Sequence, residues 1–376
     1  MRNQPALWPS PTWHLKKFQP DDPILYFSPD VLQATARRFE AGFDGLVTYA
    51  VKANDQAAVL DNLVGAGLGA FDVASLSEME KVRQAKADAV LHYHNPVRSV
   101  AEIAGAVGHG IASWSVDCPC ELDKLADVPR HCTEIAVRLR MPVPGAAYDF
   151  GEKFGADPDQ AVALMKKARA MGFDVSLTFH PGTQCADPQA WAVYIVEAAD
   201  VARRAGVTLK RLNVGGGFAA HRRGAAPDLE AIFDRIASET NRAFGIARPA
   251  LVCEPGRAMV AESFTLALRV KAVRGDAVFL NDGVYGSLTE LRDIGAPDRV
   301  SVMRPDGGAL EGAMAQKVVF GPTCDSIDRL PDRMALPEGV AEGDYVMIRA
   351  MGAYSSSIST GFNGYGRQEI VTVASL

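Results

Sequence analysis

Leu46-Val47-Thr48-Tyr49-Ala50-Val51-Lys52-Ala53-Asn54 decides the fold. Its first six residues are apolar, aromatic or β-branched, the composition of a strand buried on both faces, as strands of a parallel sheet are. Lys52 emerges at the end of that run. A lysine partly desolvated at such a position has a lowered pKa, and its neutral amine becomes a nucleophile towards aldehydes. The plain alternative is a structural lysine at a strand end.

The same pattern recurs along the chain. Further strand candidates are Ala70–Ala74, Ala89–Tyr93, Ile111–Val116, Glu134–Arg140, Asp174–His180, Thr208–Val214 and Ala250–Glu254, and stretches of helical composition such as Asp157–Met171 and Trp191–Ala205 lie between them. Eight strands alternating with helices predict a closed (β/α)8 barrel of the TIM type rather than an open sheet. A barrel puts its active groups at the carboxyl ends of the strands. Polar or glycine-rich punctuation falls at those ends: Lys52, Asp72, His94-Asn95-Pro96, Arg140, His180-Pro181-Gly182-Thr183, Gly215-Gly216-Gly217 and Glu254-Pro255-Gly256-Arg257. Only the fourth end, Asp117, is uninformative.

After residue 262 the rhythm changes. Ser263–Val273 alternates with period two and is followed by Val278–Leu280, Val300–Met303, Lys317–Phe320, Asp344–Ala350 and Glu369–Ala374, with few helical patterns. The chain therefore divides into a barrel over residues 28–262 and an all-β domain over 263–376, the latter joined by the strand Ile24–Phe27 within residues 1–27. Pro29–Glu40 reads as a helix leading into the barrel.

A net charge of −6, with no basic run longer than a pair, argues against nucleic acid as a partner. No apolar run approaches a membrane span, and Met1–Pro9 lacks a signal-peptide core, so a cytoplasmic protein is expected. Six cysteines are scattered at 118, 120, 132, 185, 253 and 324. The Cys118-Pro119-Cys120 pair has the wrong spacing for a zinc site, and neither a metal centre nor a disulfide framework is expected.

Each candidate group has a structural alternative. The three glycines at 215–217 suit backbone N–H groups converging on a phosphate, or a tight turn. Gly256-Arg257 adds a second anion element at the next strand end, and loops after the seventh and eighth strands are the usual phosphate position in such barrels. Glu254, in a mostly apolar strand, needs a partner: Arg257, or a protonated ring nitrogen of a cofactor. His180 is a hydrogen-bonded barrel histidine or a flat surface against a cofactor ring. Ser75 and Glu78 fit a helix capping box. Asp72, inside a strand, has no such reading. In the β domain, Gly321–Asp328 joins a thiol and carboxylates to a Gly-Pro turn.

As an ordered set these motifs resemble the fold-type III pyridoxal-phosphate-dependent amino-acid decarboxylases, most closely the ornithine/lysine decarboxylases. The resemblance rests on Tyr49–Asn54, Phe71–Ser75, Lys153-Phe154-Gly155, Gly215–Phe218, Glu254–Arg257, Asp282–Ser287, Gly321–Asp325 and Gly352-Ala353-Tyr354. It implies that Lys52 binds pyridoxal 5'-phosphate covalently, with Asp72 and Glu78 nearby, His180 on the pyridine ring and Glu254 on its nitrogen. Gly215, Gly216, Gly217, Arg257, Tyr354 and Thr183 would hold the phosphate, and Arg140 would be a buried organiser. Cys324, the expected proton donor to Cα, and Asp325, the expected partner of a distal substrate ammonium, would reach into the other subunit's site in a homodimer. Tyr285 would lie at the same interface.

Three positions depart from the usual pattern. Pro181 and Thr183 stand where valine and serine are common, and His94 where a small residue is common. The position of a second acidic substrate ligand holds Ile294, with Asp293 beside it. The activity implied is decarboxylation of ornithine, with lysine as a further candidate substrate. Diaminopimelate or another modified diamino acid is the alternative substrate, and an inactive regulatory homologue the alternative role.

Overall fold

The computed structural model describes residues 6–131, 133–141 and 153–376; Met1–Pro5 and Cys132 lie outside the described residues. The chain forms two compact units, one of residues 35–219 and 227–258, the other of residues 1–34, 220–226 and 259–376. No helix among the described residues is long and apolar enough to cross a membrane.

Leaving aside β1 (Ile24–Phe27) in the other unit, the first unit contains β2 (Leu46–Ala50), β3 (Ala70–Val73), β4 (Val90–Tyr93), β5 (Ile111–Val116), β6 (Glu134–Arg138), β7 (Asp174–Thr178), β8 (Arg211–Asn213) and β9 (Ala250–Cys253). Each pairs in parallel with the next, and β9 closes on β2 with Leu46 opposite Val252. This is the expected TIM-type barrel. Local chemistry sets its helices. Pro158–Ala170 begins with a capping box between Asp157 and Gln160 and a proline in its first turn, and it buries Ala161, Leu164, Met165 and Ala168, one helical face. Gln189–Ala205 stops at Gly206, whose φ of 63° suits glycine at a helix end.

Strands are shorter than the apolar runs suggest. β2 stops at Ala50 and a 3₁₀ turn, Val51–Ala53, follows; β6 stops at Arg138, β7 at Thr178 and β9 at Cys253. The residues beyond these ends line the carboxyl mouth rather than the ladder. The barrel interior is also unusual, because polar groups replace part of the branched aliphatic filling such barrels favour. Buried Glu134 accepts hydrogen bonds from Ser176 Oγ (2.9 Å) and Arg211 Nε (2.9 Å), and Arg211 Nη1 lies 3.5 Å from His92 Nε2. Charges removed from water need such partners.

The second unit is an eight-stranded sheet built around the long β10 (Phe264–Arg274). Its other strands are β11 (Ala277–Leu280), β12 (Val300–Met303), β13 (Met314–Phe320), β14 (Met334–Pro337), β15 (Tyr345–Arg349) and β16 (Glu369–Thr372), together with β1. β1 runs antiparallel to β10 and parallel to β16. One face packs Leu15, Ile24, Tyr26, Ala267, Tyr345, Met347, Val371 and Val373 into a core.

Candidate active site

Lys52 sits on the 3₁₀ turn after β2, held in place by Ala50 N–H donating to Pro255 O (3.2 Å) and Asn54 N–H to Val51 O (3.1 Å). Its side chain is exposed. The expectation of a partly desolvated lysine is therefore corrected: β2 ends at Ala50, and Lys52 stands exposed on the turn that follows. Lys52 nonetheless acts electrostatically on Asp72, Glu78 and His180, which places its charge among all three. Ser75 Oγ accepts from Glu78 N–H (3.3 Å) as the capping pattern predicts, but the Glu78 carboxylate reaches Ala74 N–H (2.7 Å), one residue earlier than a reciprocal box requires. Burial pushes the Glu78 carboxyl above its ordinary range.

At the centre stand Asp72, His94 and Glu254, each contributing one carboxylate oxygen or ring nitrogen within 4.8 Å of the other two. Glu254 Oε1 takes hydrogen bonds from His94 Nδ1 and from Asn213 Nδ2. His94 Nε2 lies 2.9 Å from Ser113 Oγ. Burial pushes Glu254 up, but the charge and hydrogen bond of His94, with the Asn213 amide, more than reverse this and hold it ionised. Burial likewise lowers His94, and Glu254 outweighs it, so the imidazole is raised above its ordinary value. The Asp72 carboxyl is raised above its ordinary range by burial first and by the Glu254 charge second. Its buried Oδ1 has no hydrogen-bond partner.

His180 follows β7. Its Nδ1 accepts from Gly182 N–H (3.1 Å), so the ring proton is on Nε2 when the imidazole is neutral. Burial, then Lys52 and Arg138, push its pKa down to about 3, leaving it neutral at physiological pH. Beside it the glycine run is sterically compelled. A Cβ at Gly215 (φ 71°) would run into Phe179 O, one at Gly216 would lie 2.7 Å from Glu254 O, and one at Gly217 (φ 85°) would meet Gly182 O. Gly215 N–H donates to Asn213 Oδ1 (2.8 Å), so this member of the run serves Asn213 and not an anion. Gly256 is packed against Ala50 and Ala53, and Arg257 beyond it is buried. Thr183, in the turn after His180, is half-buried.

Arg140 is not the buried organiser. It is exposed, in the loop beyond β6, where its N–H donates to Ala156 O (2.9 Å). The guanidinium set among the site's charges is that of half-buried Arg138, the last residue of β6, whose surroundings include the charges of Glu254, Asp117 and Asp72. Arg138 and Arg140 share the two-residue parity of buried Glu134, so the end of β6 at Arg138 decides between them, and reading the strand two residues too long shifted the choice. Asn213 was also missed; it sat in the quoted strand, but nothing in the sequence signalled that Glu254 lay opposite.

The β unit brings together a second group. Tyr285 O–H donates to Asp325 Oδ2 (2.6 Å), and Asp325 Oδ1 accepts from Ile327 N–H (3.1 Å). The Tyr285 hydrogen bond holds the Asp325 carboxyl below its ordinary range. Cys324 is exposed, with Sγ 3.4 Å from Asn363 Oδ1. Buried Asp328 fixes the loop by accepting from Val284 N–H (2.9 Å) and from Thr323 N–H (3.1 Å) and O–H (2.7 Å), and a Cβ at Gly283 or Gly321 would strike its carboxylate. Asp293 is exposed and pairs with Arg292 Nε at 3.5 Å, outside the Tyr285–Asp325 pair. Tyr354 lies on left-handed backbone, φ 62°.

The residues fit pyridoxal phosphate: an ionised, oriented carboxylate, a buried unpartnered carboxyl oxygen, a neutral imidazole face and a glycine run beside that imidazole which adds no side chains of its own. Comparison with known proteins agrees. Residues 30–261 match the model of the pyridoxal-dependent decarboxylase pyridoxal-binding domain. Mouse ornithine decarboxylase is 31% identical over 357 residues, covering 87% of this chain and 75% of that protein. The structure is similar to that of the Paramecium bursaria Chlorella virus arginine decarboxylase bound to agmatine, with a TM-score of 0.85, 25% identity, and coverage of 96% of this chain and 98% of that one. It is also similar to the Vibrio vulnificus lysine/ornithine decarboxylase complexed with cadaverine, with a TM-score of 0.80, 27% identity and coverage of 96% of each chain.

Proposed function

The chain belongs to the pyridoxal-dependent decarboxylases, and from that premise we propose that it decarboxylates L-ornithine to putrescine, with lysine as a second substrate. The observation carrying the substrate reading is Asp325, an ionised carboxylate oriented by Tyr285 beside the thiol of Cys324. The similar mouse, viral and Vibrio proteins are named for ornithine, arginine and lysine/ornithine, all amino acids with a distal cation.

Bound pyridoxal phosphate supplies a ring that accepts the electron pair left at Cα when carbon dioxide departs. Lys52 provides the amine for covalent attachment. Glu254, kept ionised, holds a proton at the ring nitrogen, and neutral His180 offers its face to the ring. Arg257, Gly216 and Gly217, with Thr183 and Tyr354, hold the phosphate, while Asp72 and Glu78 flank the lysine. Cys324 Sγ returns a proton to Cα, and Asp325 receives the distal ammonium. We place Cys324, Asp325 and Tyr285 in the site of the other subunit of a homodimer.

The exposure of Asp293 favours a second reading, a diamino acid whose distal group is modified, because Asp325 would then be the sole acidic ligand. Carbon dioxide release measured with ornithine, lysine, arginine, diaminopimelate and modified diamino acids separates the two. Ornithine should give the highest kcat/KM. Asp325→Asn should lower kcat/KM for ornithine by about one to two decades, the loss of a charge-assisted hydrogen bond worth roughly 1.5–3 kcal/mol. A modified diamino acid outperforming ornithine, with ornithine use indifferent to Asp325→Asn, would replace the first reading by the second.

A further inference from the structure

Both ring nitrogens of His94 are engaged, and the surrounding bonds fix which way they point. Gly215 N–H donates to Asn213 Oδ1, which orients that amide and turns its Nδ2 towards Glu254. An ionised carboxylate only accepts, so His94 Nδ1 carries a proton towards Glu254 Oε1. On its other side His94 Nε2 meets Ser113 Oγ at 2.9 Å, and a hydroxyl can give or take a hydrogen bond, so neutral and cationic imidazole are both satisfied. The side chains of His94 and Glu254 are only 5% and 11% exposed. Asp72 and Glu134 act on His94 with negative charge, and the His92 ring, 5.3 Å away, is kept neutral by its burial.

Without His94, burial would drive the Glu254 carboxyl upwards until it competed for the proton it shares with the cofactor's ring nitrogen. An unprotonated ring withdraws electrons poorly.

We propose that His94 is a positioning residue which occupies one oxygen of Glu254, leaves the other for the cofactor's ring nitrogen, and keeps their shared proton on the nitrogen. This rests on the reading that Glu254 faces that nitrogen. A histidine present only to fill space would leave the ring nitrogen's protonation untouched.

The test loads the protein with pyridoxal phosphate labelled with ¹⁵N in the ring and records the nitrogen resonance by NMR. Wild type should show the pyridinium position. In His94→Ala the resonance should move towards that of unprotonated pyridine, and kcat should fall about tenfold or more, the equivalent of one pKa unit or more, with little change in KM. His94→Gln, which offers a neutral donor, should fall between, and it decides the matter should the alanine variant not retain cofactor. A pyridinium resonance unchanged in the retained His94 variants, or absent from wild type, overturns the proposal. Glu254→Gln is the control and should lose the pyridinium resonance. If it keeps that resonance, the placement of Glu254 fails, and with it the premise rather than the His94 step alone.

Discussion

His180 shows how a single residue's surroundings become a property of the folded protein. Its ordinary pKa of 6.5 is displaced to about 3 by burial, Lys52 and Arg138. Between those values the unfolded chain binds a proton that the folded chain refuses, so stability present above pH 6.5 is lost as pH falls towards 3. The slope from this one group is about 1.4 kcal/mol per pH unit within the window. His180→Gln should remove that slope, and urea unfolding of wild type and variant between pH 7 and 4 should show the variant losing stability less steeply. Parallel slopes would mean that His180 is protonated in the fold. At this scale the sequence was informative where a side chain's chemistry is unusual for its neighbours, as with Lys52 and Glu254 just beyond apolar strands. It failed at Arg140 and at Asn213, where the answer depended on where a strand ends or on what faces it across the barrel.

At the scale of elements, the alternation of strands and helices was legible because buried parallel strands are runs of Val, Ile, Leu and Phe, which few helices imitate. Strand ends were not, since a run of apolar residues continues past the last ladder hydrogen bond into the mouth of the barrel. β14 (Met334–Pro337) escaped notice because it is short and ends in proline. The helix Pro11–Phe18 was likewise missed, lying before the first recognisable strand. The turn after β8 illustrates what a motif means mechanically. Gly217 combines a φ of 85° with a Cβ position blocked by Gly182 O, whereas Gly67 combines a φ of 107° with open space. Both alanine substitutions carry backbone strain of about 1–3 kcal/mol, but only Gly217→Ala adds a collision with backbone that cannot swing aside. Gly217→Ala should therefore be less stable than Gly67→Ala by about 2 kcal/mol in urea unfolding, and it alone should weaken retention of pyridoxal phosphate. Equal losses would show that the loop yields, and the glycine run would then be an ordinary turn.

For the whole molecule, the proposed chemistry draws on both units: Lys52, His180, Glu254 and Arg257 belong to the barrel, while Cys324, Asp325 and Tyr285 belong to the β unit. A homodimer in which each β unit serves the other subunit's barrel makes a quantitative prediction. Lys52→Ala and Cys324→Ala should each be nearly inactive alone. Mixed in equal amounts under exchange, half of the dimers are heterodimers if association is random. Of the two sites in a heterodimer, one pairs the mutant barrel with the mutant thiol loop, and the other is wild type at both positions. Activity should therefore recover to about a quarter of wild type, with an unchanged KM, since the restored sites are identical to native ones. Subunit exchange can be followed independently by mass spectrometry of differently tagged chains. If tagged heterodimers form and activity stays at the level of the separate variants, Lys52 and Cys324 serve the same chain's site, and a shared site is excluded whatever the substrate proves to be.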